Sequence, residues 1–123
     1  MSKSIQLKGE NENCYPKLPF KTIAISFGEY GGDPVLVRSG DTVVFSSNMD
    51  LKNLPGGDVV VGYIPSGYRP VQDLIISKIT NQDADFRIYV YRNGSIHIYI
   101  ENAYQITNGA FSMSWITQDS FPS

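Results

Sequence analysis

The chain has 123 residues, 41% of them apolar and 18% charged, which is the composition of one globular domain with a core of its own. The formal net charge is -2 and Lys and Arg are scattered, so the basic stripe of a nucleic-acid binder is missing. A single cysteine, Cys14, excludes a disulfide scaffold within the chain, and a single histidine, His97, excludes a His-based metal cluster.

Residues 1–20 read as an N-terminal arm, in which Ile5 and Leu7 fit a short strand. "GENEN" is turn-prone, and "YPKLP" is extended because each proline turns its predecessor away from the helical region. The start of the arm has no apolar run of the signal-peptide kind, so synthesis in a cytoplasm is expected. No apolar run reaches bilayer length, so no membrane insertion is expected.

From residue 21 onward, short strands alternate with breakers. "KTIAISF" (21–27) places Ile23, Ile25 and Phe27 on one side. "GEYGGDP" is a loop, "VLVR" (35–38) and "TVVFS" (42–46) are strands about a turn, and "SNMDLKNLPGG" reads as a loop. "DVVVGYI" (58–64) leads into the corner "PSGYRP", followed by "DLIISKI" (73–79) and the turn "TNQDAD". After a hairpin at 85–101, "NAYQITNGA" connects to a last strand, "FSMSWIT", with Phe111, Met113 and Trp115 on one face. No amphipathic helix longer than two turns is present. The pattern predicts an all-β chain: an antiparallel β-sandwich, jelly-roll-like, over residues 21–123.

The hairpin "DFRIYVYRNGSIHIYIE" admits two turns at Asn93-Gly94. A two-residue turn pairs Arg92 with Ser95 and mixes apolar and polar side chains on both faces. A three-residue loop with Gly94 in a left-handed bulge pairs Val90 with Ile96, Ile88 with Ile98 and Phe86 with Ile100. A slip of one residue exchanges the faces, and each apolar side chain so exposed forfeits about 1.5–3 kcal/mol. The bulged turn is therefore expected. Its outer face then carries Arg87, Tyr89, Tyr91, Ser95, His97, Tyr99 and Glu101. Tyrosines on such a face suit packing under a loop, contact with a neighbouring subunit, plain exposure, or stacking on a sugar.

No catalytic constellation is legible. "GEYGGDP" lacks the Lys and the helix of a phosphate loop, and "TNQDAD" lacks the ligand spacing of a calcium loop. Cys14 has no neighbouring base, and Asp83 and Asp85 fit solvated turn residues better than paired acids. No enzyme activity, metal or cofactor is expected. At the corner Ile64-Pro65-Ser66-Gly67-Tyr68-Arg69-Pro70, two prolines and a glycine fix the direction of Tyr68 and Arg69. This predicts a rigid corner with Tyr68 capping the core, and makes Arg69 a lesser ligand candidate.

The segment "DTVVFSSNMDLKNLPGGDVVVGYIPSGYRP" (41–70) resembles one common in tail and baseplate proteins of phages infecting Gram-positive bacteria. There a valine-rich strand leads to a Leu-Pro-x-Gly-Tyr-Arg-Pro element, with Ile64 here in place of the leucine. "YRNGSIHIYI", "GAFSMSWIT" and the opening "IQLKGENENCYP" resemble further elements of the same group. The resemblance implies a receptor-binding head domain of a virion tail or baseplate: a homotrimeric sandwich that binds host cell-surface saccharides without cleaving them. It also implies attachment to other tail or baseplate proteins through the arm. Alternatives are a purely structural baseplate or head-decoration protein, a lectin-like carbohydrate-binding module and, last, a small glycosidase.

Overall fold

The computed structural model describes residues 19–47, 50–80, 85–101, 104–106 and 110–122. The arm through residue 18, with Ile5, Leu7 and Cys14, lies outside them, as does Asp83. Among the described residues ten strands run in chain order: β1 (Phe20–Ala24), β2 (Val35–Ser39), β3 (Thr42–Ser47), β4 (Leu51–Leu54), β5 (Gly57–Tyr63), β6 (Leu74–Thr80), β7 (Asp85–Tyr91), β8 (Ser95–Ile100), β9 (Tyr104–Ile106) and β10 (Phe111–Ile116). One short 3-10 turn, Gly28–Tyr30, interrupts the "GEYGG" loop. β1 begins at Phe20, which pairs with Ser39.

The fold is an all-β sandwich. One antiparallel sheet has the order β1-β2-β3-β10, the other β5-β8-β7-β6, and β4 and β9 form a small ribbon. Strands β5 to β8 make a Greek key, since three hairpin-linked strands bring the first beside the last. Leu36, Val43, Phe45 and Trp115 from one sheet meet Ile88, Val90, Ile96 and Ile98 from the other in a single buried cluster. Phe45 anchors it through edge-on contacts with Phe27, Phe111 and Trp115.

The hairpin adopts the bulged turn. Val90 faces Ile96, Ile88 faces Ile98, Tyr89 faces His97 and Arg87 faces Tyr99. Gly94 has φ +97° and donates its N–H to the carbonyl of Tyr91. Asn93 adds a local brace, its side-chain oxygen accepting the Ser95 N–H at 2.9 Å.

Two segments differ from the sequence reading. "SNMDLKNLPGG" contains β4, and "NAYQITNGA" contains β9, which pairs with it. In β4 the buried residues are Leu51 and Leu54, three apart rather than two, because the register shifts between them and Asn53 takes φ +60°. A bulge of this kind erases the alternation by which a strand is recognised.

The corner at 64–70 is built as expected and is clamped from several sides. Gly67, at φ +102°, closes a turn in which the Tyr68 N–H bonds the Pro65 carbonyl. Tyr68 is buried against the core, and its carbonyl accepts the indole N–H of Trp115 at 2.7 Å. The carboxylate of Asp119 accepts the backbone N–H groups of Gly67 and Arg69. Arg38, only 3% exposed, donates to the carbonyls of Gly40, Gly67 and Ser120. Its guanidinium also lies over the ring of Phe121 and 3.5 Å from Asp41. A buried cation needs such a full set of acceptors to be tolerated.

A β-carbon at Gly94 would lie 2.5 Å from the Ile64 carbonyl oxygen and 2.7 Å from Arg69 Nε. Gly94→Ala is therefore expected to lower stability by about 1–3 kcal/mol in urea denaturation. The buried Tyr68 hydroxyl has no hydrogen-bond partner among the described residues. Tyr68→Phe removes an unsatisfied polar group, so its urea midpoint is expected to equal or exceed that of the parent chain.

Candidate functional site

The outer face of the β5-β8-β7-β6 sheet is the candidate site. Strand alternation puts Arg87, Tyr89 and Tyr91 of β7 on the side opposite the buried Phe86, Ile88 and Val90. On β8 it puts Ser95, His97 and Tyr99 opposite the buried Ile96, Ile98 and Ile100. The three tyrosines are half-buried.

Pairing across the sheet arranges these side chains in rows. One row is Val60, His97, Tyr89 and Ile76; the next is Asp58, Tyr99, Arg87 and Lys78. Toward the hairpin turn, Tyr63 pairs with Ser95 and Leu74 with Tyr91. His97 holds a fixed place among them. Its Nδ1 is 3.0 Å from an Asp58 carboxylate oxygen, and its ring meets that of Tyr91 edge-on at 4.8 Å between centroids. The Arg87 guanidinium stands over the Tyr99 ring at 5.6 Å.

Of the site residues expected from sequence, Arg87, Tyr89, Tyr91, His97 and Tyr99 therefore share one surface. Glu101 follows β8 at its edge, where it lines a pocket with Arg87 and Tyr99. Arg69 does not join them. It sits behind the hairpin turn, where its Nε donates to the Ile64 carbonyl at 2.9 Å and packs on Gly94.

Sequence reasoning missed the flanks of the surface. Ile76 is 55% exposed and Tyr63 66%, so they extend the open face rather than the core. In "LIISKIT" both alternating sets contain two aliphatic residues, so periodicity alone leaves the inner side undecided. Lys78 was the usable signal, since its charge places Leu74 and Ile76 outside with it. Tyr63 was obscured by the register shift between Val60 and Gly62 in β5.

A wider, more open hollow lies elsewhere, lined by Asp33, Val35, Ser46, Ser47 and Phe111. It offers one charged side chain and two hydroxyls, a thinner set of polar groups than the sheet face. Among the described residues, no group of three or more His, Cys, Asp or Glu side chains converges as metal ligands would. No helix among them is long and apolar enough to cross a membrane.

Fold and site together define an all-β sandwich with one aromatic sheet face left open. Comparison with known proteins adds no family to this: no protein-family model matches the chain, and no curated protein matches it.

The two sides of β8 are expected to respond differently to truncation. Tyr99→Ala should cost about 1 kcal/mol or less, the scale of strand preferences on an open face. Ile98→Ala, one residue away, should cost about 2–5 kcal/mol by emptying the core. Guanidinium unfolding of both variants measures the contrast.

Proposed function

We propose that this chain is a non-catalytic adhesion module of a phage tail or baseplate. In this reading it binds host cell-surface saccharides through the outer face of the β5-β8-β7-β6 sheet and acts as a homotrimer. The observation that carries the reading is the set of three half-open tyrosines, Tyr89, Tyr91 and Tyr99, held in register on a rigid sheet. Flat phenol rings bury the apolar face of a sugar while their hydroxyls bond its rim. His97, Asp58 and Arg87 supply directed polar groups beside them. The resemblance of residues 41–70 to phage tail proteins gives the biological setting. Three weak sites on one trimer would gain strength by avidity.

A second reading is favoured by Val60, Tyr63, Leu74 and Ile76, which are exposed beside the tyrosines. A face with that much apolar surface also suits burial against a neighbouring copy, in a purely structural baseplate or head-decoration role. The two readings separate experimentally. On an array of bacterial surface polysaccharides, adhesion predicts binding that falls about tenfold or more, at least about 1.4 kcal/mol, with Tyr89→Ala or Tyr99→Ala. Light scattering should return three chain masses for the parent and both variants. Loss of the trimer in these variants, with no polysaccharide bound by the parent, would assign the face to assembly instead.

A further inference from the structure

The open face changes character along its strands. Near the hairpin turn it is aromatic and aliphatic. At the opposite end Lys78, Asp85, Phe86, Arg87, Tyr99 and Glu101 line a pocket of about 160 Å³. Phe86 itself is buried and belongs to the core.

Register fixes the cations of this pocket. Lys78 and Arg87 are direct cross-strand partners. Like charges so placed repel unless something lies between them. Asp85 precedes Arg87 by two residues within β7, which puts its carboxylate on the same side of the sheet, and Glu101, in the bend after β8, lines the same pocket. Asp85 stands one alternation step, about 6.6 Å, farther along β7. The pocket thus sets a cross-strand pair of cations beside two carboxylates. Among the described residues these four groups form no ion pair with one another or with any other side chain. Arg87 is instead held over the Tyr99 ring, and its fork of N–H donors is left for another acceptor.

The pattern discriminates among ligands. A lone anion on the cation pair sits beside two carboxylates. A lone ammonium on the carboxylates sits beside two cations. A neutral sugar leaves both sets of charge unmatched. A unit carrying both charges, spaced by about one sugar ring, satisfies each set with its opposite. We propose that this pocket is the subsite for a zwitterionic saccharide unit. A phosphate or carboxylate of the ligand lies between Lys78 and Arg87, its ammonium faces Asp85 and Glu101, and its ring rests on Tyr99. The inference rests on the saccharide reading of the tyrosine face and narrows it to a chemical class.

The test is a set of NMR shift titrations of the isotope-labelled full chain. The probes are glucosamine 6-phosphate, glucose 6-phosphate, glucosamine and glucose, with 2-amino-2-deoxyglucuronic acid as the carboxylate counterpart of the first. At least one zwitterion is expected to bind about tenfold or more tighter than either singly charged sugar. The two zwitterions distinguish phosphate from carboxylate as the anion. Lys78→Gln should bring the preferred zwitterion down to the level of glucosamine, and Glu101→Gln down to the level of its singly anionic analogue. Lys78 and Glu101 are exposed, so neither change threatens folding. Zwitterions that bind no tighter than the better singly charged sugar, or that do not bind, would overturn the assignment. Equal binding of charged and neutral sugars, abolished by Tyr99→Ala, would overturn it too while leaving the wider saccharide reading intact. Polysaccharide binding on the array tests that wider reading separately.

Discussion

The structure depends on one backbone constraint, the left-handed glycine at the tip of the β7–β8 hairpin. Gly94 at φ +97° inserts a single extra residue into the turn, and that residue sets the phase of both strands. With this phase Phe86, Ile88, Val90, Ile96, Ile98 and Ile100 all face the core and are almost wholly buried. At about 1.5–3 kcal/mol for each such side chain, the opposite phase would forfeit far more than any difference between turn types. The same glycine has a second task. The Ile64 N–H bonds its carbonyl, and Arg69 packs where a β-carbon would stand. The residue that sets the register thus also seats the hairpin against the 64–70 corner.

That corner holds the sandwich together at one end. It joins β5 to β6 in one sheet, while Arg38 and Trp115, which bind its carbonyls, belong to β2 and β10 of the other. The segment after β10 completes the clamp through Asp119, Ser120 and Phe121. Buried hydrogen bonds of this kind are costly to break singly, so they fix one arrangement of the two sheets. Arg69 belongs to this framework through its bond to Ile64. Its strong local definition in sequence therefore reflects the corner and not the open face.

A rigid platform has a thermodynamic advantage for weak ligands. Tyrosines already ordered by their strand neighbours lose little side-chain entropy on contact, so more of the contact energy appears as affinity. The outward positions of β10 in the first sheet are Ser112, Ser114 and Ile116, and that sheet's exposed aromatic, Phe20, stands on β1. Among the described residues the cluster of three tyrosines belongs to the β5-β8-β7-β6 sheet. Its apolar half and its charged half meet along the row that contains Tyr99 and Arg87, which joins the adhesion reading to the narrower ligand class.

The all-β class, most strand positions, the bulged hairpin and the tyrosine face were legible in the amino-acid sequence. Each rests on local information: alternation of period two, turn residues, and the apolar set of one hairpin. The β4–β9 ribbon was not, because pairing of Leu51 with Ile106 joins distant segments and a bulge hides the period. The buried role of Arg38 was also hidden, since in sequence it ends a strand beside a turn as an exposed arginine would. Ile76 and Tyr63 joined the open face only when cross-strand pairing placed them there, and Lys78 and Arg87 stand beside Tyr99 only because β6, β7 and β8 align in one register. Sequence alone determined which side of each hairpin strand is greasy, because that depends on neighbours two residues apart. Tertiary structure decided which side chains from different strands stand together, because that depends on pairings the chain makes over long distances.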